Sequence, residues 1–178
     1  MTIHAELLGF WREAGYEKWF GGGVDFDRAC EARFLAAHFQ ASRRELEHWM
    51  DNADGALALV LLLDQIPRNV FRRSAHSFAT DPLARHYAVR AIDAGFDRLV
   101  DPVLRIFFYM PFEHSEHLAD QERAVALVAT TEPEYLRYAQ AHRDVIARYG
   151  RFPHRNAALG RANTPEEQVY LDAGGGFG

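Results

Sequence analysis

Several residue types and patterns are scarce in this 178-residue chain, and each scarcity excludes a class of protein. The single cysteine, Cys30, cannot form an intramolecular disulfide, which excludes a disulfide-stapled secreted scaffold. The longest apolar run, Ala56–Leu63, is far shorter than the ~20 residues that a membrane span needs. Met1–Trp19 has no basic start followed by an apolar run, so it does not resemble a signal peptide. We therefore expect a cytoplasmic protein with no membrane partner.

Basic residues are also few, and lysine is nearly absent. The 25 acidic residues outnumber the 20 basic ones, which gives a formal net charge of -5. Because nucleic-acid binding depends on many Lys and Arg contacts to phosphates, we expect no nucleic-acid partner. The chain also lacks a Gly-rich phosphate loop after a strand, a Gly-x-Ser-x-Gly nucleophile motif and a His-Glu-x-x-His zinc motif. The sequence predicts no cofactor.

Helical periodicity runs along almost the whole chain, without the alternating β-branched runs that are typical of strands. The segment Gly55–Ile66 has no polar face, so we expect it at the centre of the protein. Helix starts that contain proline occur at Asp81-Pro82, Asp101-Pro102, Glu132-Pro133 and in the capping-box pattern Thr164–Glu167. The pattern predicts an all-α protein of about eight helices, in antiparallel pairs. We expect a single domain over residues 1–178 with a flexible tail at 174–178.

The first of three polar segments, Asp64–Asn69, directly follows the apolar helix. Pro67 removes a backbone donor, so we expect the helix to stop or kink there. A buried carboxylate is costly unless it is paired, and Asp64 is therefore expected to pair with Arg68, four residues later. Gln65 and Asn69 would bind the backbone groups that Pro67 leaves free. The alternative is that these polar side chains line the floor of a pocket.

The second polar segment, Tyr109–His117, contains two histidines and two glutamates within five residues. Such side chains bind divalent metals, but the helix is expected to begin only near Ser115, so their spacing does not fit a helical ligand pair. We predict no metal site. The other interpretation is a helix N-terminus whose acidic residues complement the helix dipole. Glu113, His114 and Glu116 are the candidate site residues in this segment.

The third polar segment, His142–Arg161, combines a histidine on an aromatic helix stripe with a polar loop. His142 is either a core residue or an acid–base group that titrates near neutral pH. The loop either clamps an anion through bidentate arginine contacts or is fixed to the protein by pairing with Glu113 and Glu116. The candidate residues of this segment are His142, Arg143, Arg151, His154, Arg155, Asn156 and Arg161.

Runs of sequence from all three segments, and from their surroundings, carry a further signal. They are Leu59–Phe71, Phe78–Pro82, Phe107–Glu116, Asp120–Glu122, His142–Ile146, Gly150–Asn156, Leu159–Arg161 and Thr164–Glu167. Together they resemble a bacterial family known as domain of unknown function nine-two-four, over nearly the whole chain. The resemblance implies a tetratricopeptide-like αα-superhelix. It implies no activity and transfers no catalytic residue, because a fold does not determine a function.

Two functions stay open at the level of sequence. The first is a helical binding scaffold with a polar groove for a peptide or a small anionic ligand, which the implied superhelix favours. The second is a hydrolase or lyase that acts on a small anionic substrate. In that enzyme Arg151 or Arg155 would bind the anion, and His114, His142 or His154 would be the acid or base, with Glu113 as its orienting group.

Overall fold

The structure, a computed structural model, describes residues 2–177. Within that range the chain forms eight α-helices and no strand, as the periodicity predicted. In chain order they are α1 (Ile3–Gly21), α2 (Val24–Ser42), α3 (Ala53–Val70), α4 (Asp81–Asp93), α5 (Ile106–Glu113), α6 (Leu118–Val128), α7 (Pro133–Tyr149) and α8 (Pro165–Asp172). None of these helices is long and apolar enough to cross a membrane.

Contacts between residues divide the chain into two compact units. The first unit comprises Met1–Arg72 and His76–Pro111, and the second comprises Arg73–Ala75 and Phe112–Gly178. That the whole chain acts as one domain remains a prediction. The superhelical arrangement of its helix pairs remains one as well.

Helix α3 is the centre of the first unit, as its lack of a polar face predicted. Every residue from Gly55 to Pro67 is buried, and the helix packs against α1, α2 and α4. Gly55 is required where the helix begins, because a Cβ atom there would lie 2.3 Å from the carbonyl oxygen of Trp49. Burial of apolar surface is the main stabilising contribution to folding. Helix α3 therefore forms a central part of the hydrophobic core of this unit.

Pro67 does not stop α3, which continues to Val70. A proline cannot donate a hydrogen bond to the carbonyl oxygen four residues earlier, which here is that of Leu63. The hydroxyl of Thr80 donates to this oxygen at 2.5 Å instead. The expectation that Gln65 and Asn69 satisfy the freed group is therefore wrong for this carbonyl. A side chain from just before α4 does so, and the helix can continue.

Helices α7 and α8 of the second unit follow the local signals of the sequence, whereas α6 begins at Leu118 rather than near Ser115. Helix α7 begins at Pro133 and ends before Gly150, whose φ of 69° lies in the left-handed region that glycine adopts at little cost. At α8 the Thr164 hydroxyl accepts from the Glu167 N–H, and the Glu167 carboxylate accepts from the Thr164 N–H. The predicted capping box is confirmed. These two helices hold the polar loop between them.

Candidate functional site

The candidate residues fall into both units. Asp64, Gln65, Arg68 and Asn69 belong to the first unit, and the remaining candidates, Glu113 to Arg161, belong to the second. The two groups differ in the hydrogen-bond and ring contacts that their side chains make.

In the first unit, Arg68 is the centre of a hydrogen-bond network. Its guanidinium donates to both carboxylate oxygens of Asp81, at 2.8 and 2.9 Å, and to the carbonyl oxygen of Asp64 at 2.6 Å. The Asp64 carboxylate lies 3.4 Å from the same guanidinium and accepts from Gln65 Nε2 at 2.7 Å. Asn69 donates to the Gln65 carbonyl oxygen at 3.0 Å. The predicted Asp64–Arg68 contact is present, with Asp81 added.

The charges in this network are balanced by internal partners. Burial would lower the pKa of Arg68, but the carboxylates of Asp64 and Asp81 outweigh it and raise that pKa. Asp81 is nearly buried, and the sequence marked it only as part of a helix start. The arrangement supports a structural role for this segment, since buried ionic groups are tolerated when they are paired and hydrogen-bonded. We call the set Asp64, Gln65, Arg68, Asn69 and Asp81 the Arg68 network.

In the second unit, Glu116 fixes the start of the polar loop. Its carboxylate accepts two hydrogen bonds from the Arg161 guanidinium, at 2.7 and 2.9 Å, and one from the backbone N–H of Phe152 at 2.7 Å. Burial opposes ionisation of Glu116, but these bonds and the nearby charge of Arg155 lower its pKa. Pairing of the loop with Glu116 was one of the two sequence interpretations, and the geometry supports it for Arg161.

Glu167 fixes the rest of the loop. Arg151 donates to its two carboxylate oxygens at 2.6 and 2.7 Å, and Asn156 Nδ2 donates at 3.2 Å. The hydrogen bond from Arg151 is the main cause that lowers the pKa of Glu167 to about 2. The sequence pattern indicates only the capping-box role of Glu167, and this second role was not predicted. Arg151, Asn156 and Arg161 therefore hold the loop in place.

Two histidines of the second unit, His142 and His154, lie beside the ring of Phe152, and a third, His114, lies beside His142. The ring of His142 is 6.4 Å from that of His114, centroid to centroid, and 5.7 Å from that of Phe152. The ring of His154 is 5.5 Å from that of Phe152, and the Arg155 guanidinium lies 4.5 Å above the same ring. His114, His142 and Arg155 are each less than a tenth exposed. We call His114, His142 and His154 the histidine cluster.

His142 is held in one orientation and kept neutral. Its Nδ1 atom lies 2.9 Å from the carbonyl oxygen of Tyr138 and 3.1 Å from Oε1 of Glu113. A carbonyl oxygen can only accept, so Nδ1 carries the proton and Nε2 the lone pair. Burial is the main cause that lowers the pKa of His142 to about 3, and the neighbouring His114, His154 and Arg155 lower it further. The imidazole is a fixed, flat, neutral surface at physiological pH.

The backbone that carries Glu113 and His114 is fixed by a buried glutamine. Gln121 is fully buried, and its Nε2 donates to the carbonyl oxygens of Glu113 and Ser115, at 2.6 Å each. The Ser115 hydroxyl donates to Asp120 at 2.6 Å and accepts from the His117 N–H. The first residues of α6 thus rigidly position the glutamate that faces His142. Preorganisation of this kind lowers the entropic cost of binding a ligand.

Arg143 is the candidate that lies apart from the cluster. Its guanidinium pairs with Asp144, the next residue, at 2.9 Å, and both side chains are exposed. Within residues 2–177, no three His, Cys, Asp or Glu side chains are placed to hold a metal ion. The geometry therefore reduces the candidates of the second unit to Glu113, the histidine cluster and Arg155.

Residues 7–175 match a family described as bacterial protein of unknown function, DUF924. The chain belongs to the DUF924 family. It is also similar to a solved protein of unknown function from Agrobacterium tumefaciens, with 50% sequence identity and a TM-score of 0.93. That similarity covers 96% of this chain and 97% of the other. No curated protein matches the chain. Family and fold are thus established, whereas function must be argued from the site.

Two aromatic residues of the site in this DUF924 protein were not predicted from its sequence. Phe152 has a fully buried ring beside His142 and His154, and Phe177 stacks on His142. Phe152 was signalled only by its position between Arg151 and Pro153 in the conspicuous loop. Phe177 lies in the Gly-rich tail that was expected to be loose, and no local pattern relates it to a residue in α7.

Proposed function

We propose that this DUF924 protein is a binding scaffold whose second unit holds a small anionic molecule at the histidine cluster. The observation that carries the proposal is that His142, His154 and Arg155 lie against one buried aromatic ring, Phe152, with His114 beside His142. The Arg68 network of the first unit is excluded from this role, because its polar groups bind one another.

The balance of donors and acceptors in the cluster favours an anion. One guanidinium and two imidazoles lie against the ring of Phe152, a third imidazole lies beside His142, and Glu113 is the carboxylate that faces His142. The other carboxylates of the loop are engaged: Glu116 by Arg161 and Glu167 by Arg151. Arginine binds carboxylates and phosphates through paired N–H donors, which gives both strength and orientation. We therefore assign the charged contacts of the ligand to Arg155, His114 and His154.

The burial of the cluster favours a small molecule over a peptide. His114 and His142 are each 8% exposed and Arg155 is 6% exposed, so little of their surface is open to an extended chain. A buried site strengthens each electrostatic contact, because water screens it less. The peptide-binding groove of the implied superhelix remains a less supported alternative.

The Glu113–His142 contact favours a second candidate, a hydrolase or lyase. A carboxylate that orients an imidazole is a common arrangement in general acid–base catalysis. However, an efficient general base has a pKa near the working pH, and burial lowers the pKa of His142 to about 3. His142 is therefore too weak a base at pH 7, and we place binding ahead of catalysis.

The test is calorimetric titration of the full chain with inorganic phosphate. We expect saturable binding to the parent protein and at least tenfold weaker binding to an Arg155→Gln variant, since a charge-assisted contact is lost. Arg143→Gln is the matched control: it removes an arginine from the same unit, one residue from His142, and should leave the affinity unchanged. Absence of binding to the folded parent, or equal weakening in both variants, would contradict the proposal.

A further inference from the structure

The space over His142 is occupied by a residue of the chain itself. The ring of Phe177 lies parallel to the His142 imidazole, with the ring centroids 3.6 Å apart and an interplanar angle of 16°. Phe152 and His154 meet the same ring nearly edge-on, at 6.1 and 5.8 Å. Phe177 thus lies against His142, Phe152 and His154, within the group of residues to which we assign ligand binding.

The route of the tail depends on its glycines. A Cβ atom on Gly175 would lie 2.4 Å from the ring of Tyr170, and one on Gly176 would lie 3.0 Å from Cβ of His154. Gly174 and Gly176 have φ values of 82° and 137°, which side-chain-bearing residues rarely adopt. Consecutive glycines therefore let the backbone lie flat on Tyr170 and His154 and bring Phe177 to His142.

The same glycines make the docked tail easy to displace. Glycine loses more conformational freedom than any other residue when it is ordered, so three in succession oppose docking. Against this stand the contacts of Phe177, a hydrogen bond between the Gly176 backbone and the Tyr170 hydroxyl, and one from Gly175 N–H to the Tyr170 carbonyl oxygen. Phe177 itself is only partly buried.

We propose that Phe177 fills the slot of a flat aromatic ring belonging to the ligand, and that the tail competes with that ligand for the histidine cluster. This inference rests on the proposed function and narrows its ligand to an aromatic anion. The ring of the ligand stacks on His142 in place of Phe177, and its carboxylate or phosphate group binds Arg155, His114 and His154. A ligand that enters must displace the tail. Its apparent affinity is then the intrinsic affinity multiplied by the fraction of molecules whose tail is undocked.

The experiment compares phenyl phosphate, benzoate and inorganic phosphate, titrated into the parent chain and a Phe177→Ala variant. We expect Phe177→Ala to bind phenyl phosphate about tenfold more tightly than the parent, which corresponds to about 1.4 kcal/mol. Inorganic phosphate has no ring, so its affinity should change by less than about threefold. Benzoate distinguishes the acidic group: tightening with benzoate as well assigns the site to aromatic carboxylates and phosphates alike.

The outcomes separate the two proposals. Failure of all three anions to bind either folded protein would remove both. Binding of inorganic phosphate, with no gain for phenyl phosphate in Phe177→Ala, would leave the anion site in place and overturn the role of the tail. Weaker binding of phenyl phosphate to Phe177→Ala would show that Phe177 is a wall of the site rather than a competitor, which also overturns it.

A second variant covers the case in which Phe177→Ala unfolds the unit, since Phe177 contacts the core formed by Val145, Ile146 and Phe152. Phe177→Leu keeps an apolar side chain there and loses the flat ring. We expect it to bind phenyl phosphate more tightly than the parent, and an unchanged or weaker affinity would overturn the proposal. In the parent, the amide NMR signals of Gly175 and Gly176 should move towards disordered values when phenyl phosphate saturates the protein, and unmoved signals would contradict tail displacement.

Discussion

The Arg68 network and the histidine cluster consist of similar residues but differ in how their polar groups are used. In the network, the Arg68 guanidinium meets two carboxylates of its own unit and a backbone carbonyl oxygen. In the second unit, His142, His154 and the Arg155 guanidinium lie against the ring of Phe152, His114 lies beside His142, and the tail supplies a second ring, Phe177, that stacks on His142. Residue types alone therefore do not separate the two regions: in the network a guanidinium meets carboxylates, whereas in the second unit imidazoles and a guanidinium pack against aromatic rings.

The largest expected effect concerns the Arg68 network. Arg68→Met leaves the buried carboxylates of Asp64 and Asp81 without their cation, and we expect it to lower the free energy of unfolding by about 3–5 kcal/mol. Urea unfolding followed by tryptophan fluorescence measures this. Arg12→Ala, which removes the exposed partner of Asp101 in the same unit, is the control and should cost less than about 1 kcal/mol. A similarly small loss of unfolding free energy for Arg68→Met would show that the Arg68 network is not a structural ion-pair network.

The next effect is a dependence of stability on pH that arises in the histidine cluster. The folded-state pKa of His142 lies below its ordinary value of 6.5, so below pH 6.5 the unfolded chain binds a proton that the folded protein does not. Stability should therefore fall with falling pH, by about 2 kcal/mol between pH 6.5 and 5 from this group alone.

The measurement is urea unfolding at several pH values for the parent and for His142→Gln. The variant should lose the contribution of His142 while keeping that of His38, whose pKa burial also lowers. Replacement of the exposed His86 by glutamine is the control and should leave the slope unchanged. Identical slopes for the parent and His142→Gln would show that His142 is not held neutral by its surroundings.

A smaller effect is expected where the loop is anchored. Glu116→Gln weakens two hydrogen bonds from Arg161 and one from Phe152 N–H, at a site that is partly open to water. We expect a loss of about 1–2 kcal/mol in the free energy of unfolding. Because the loop carries His154 and Arg155, the affinity for phosphate should fall as well. A stability loss with unaltered affinity would show that the cluster does not depend on this anchor.

The smallest effect is that of the exposed arginine beside the cluster. Arg143→Ala removes a pair with Asp144 that is open to solvent, and we expect a change in unfolding free energy of less than about 0.5 kcal/mol. Phosphate affinity should stay the same. A clear loss of affinity would show that Arg143 takes part in phosphate binding and would contradict a site limited to Glu113, the histidine cluster and Arg155.

Much of the fold was predictable because its signals are local. The all-helical class, the buried α3, the end of α7 at Gly150 and the capping box of α8 each follow from residues within one or two helical turns of one another. Continuation of α3 through Pro67 was not predictable in this way. It depends on the hydroxyl of Thr80, which is 17 residues from the carbonyl oxygen that it satisfies.

The candidate site was predictable only as a set of residue types. The sequence identified His114, His142, His154 and Arg155, and it offered Glu116 as a partner of the loop. It did not separate them from Arg151 and Arg161, because which arginine meets which carboxylate depends on contacts between distant segments. Phe177 and His142 are separated in the sequence by the loop and α8. Helical periodicity contains no information about a contact between residues so far apart in the chain.

Anion binding at the histidine cluster is tested most directly by NMR. The measurement follows the nine histidine side chains of the unmodified protein as inorganic phosphate is added. We predict that the ring signals of His114, His142 and His154 shift together and saturate with one dissociation constant, while those of His38, His76 and His86 in the first unit stay in place. Signals of the histidine cluster that do not move at saturating phosphate, or that move no more than those of the first unit, would contradict a binding site in the second unit.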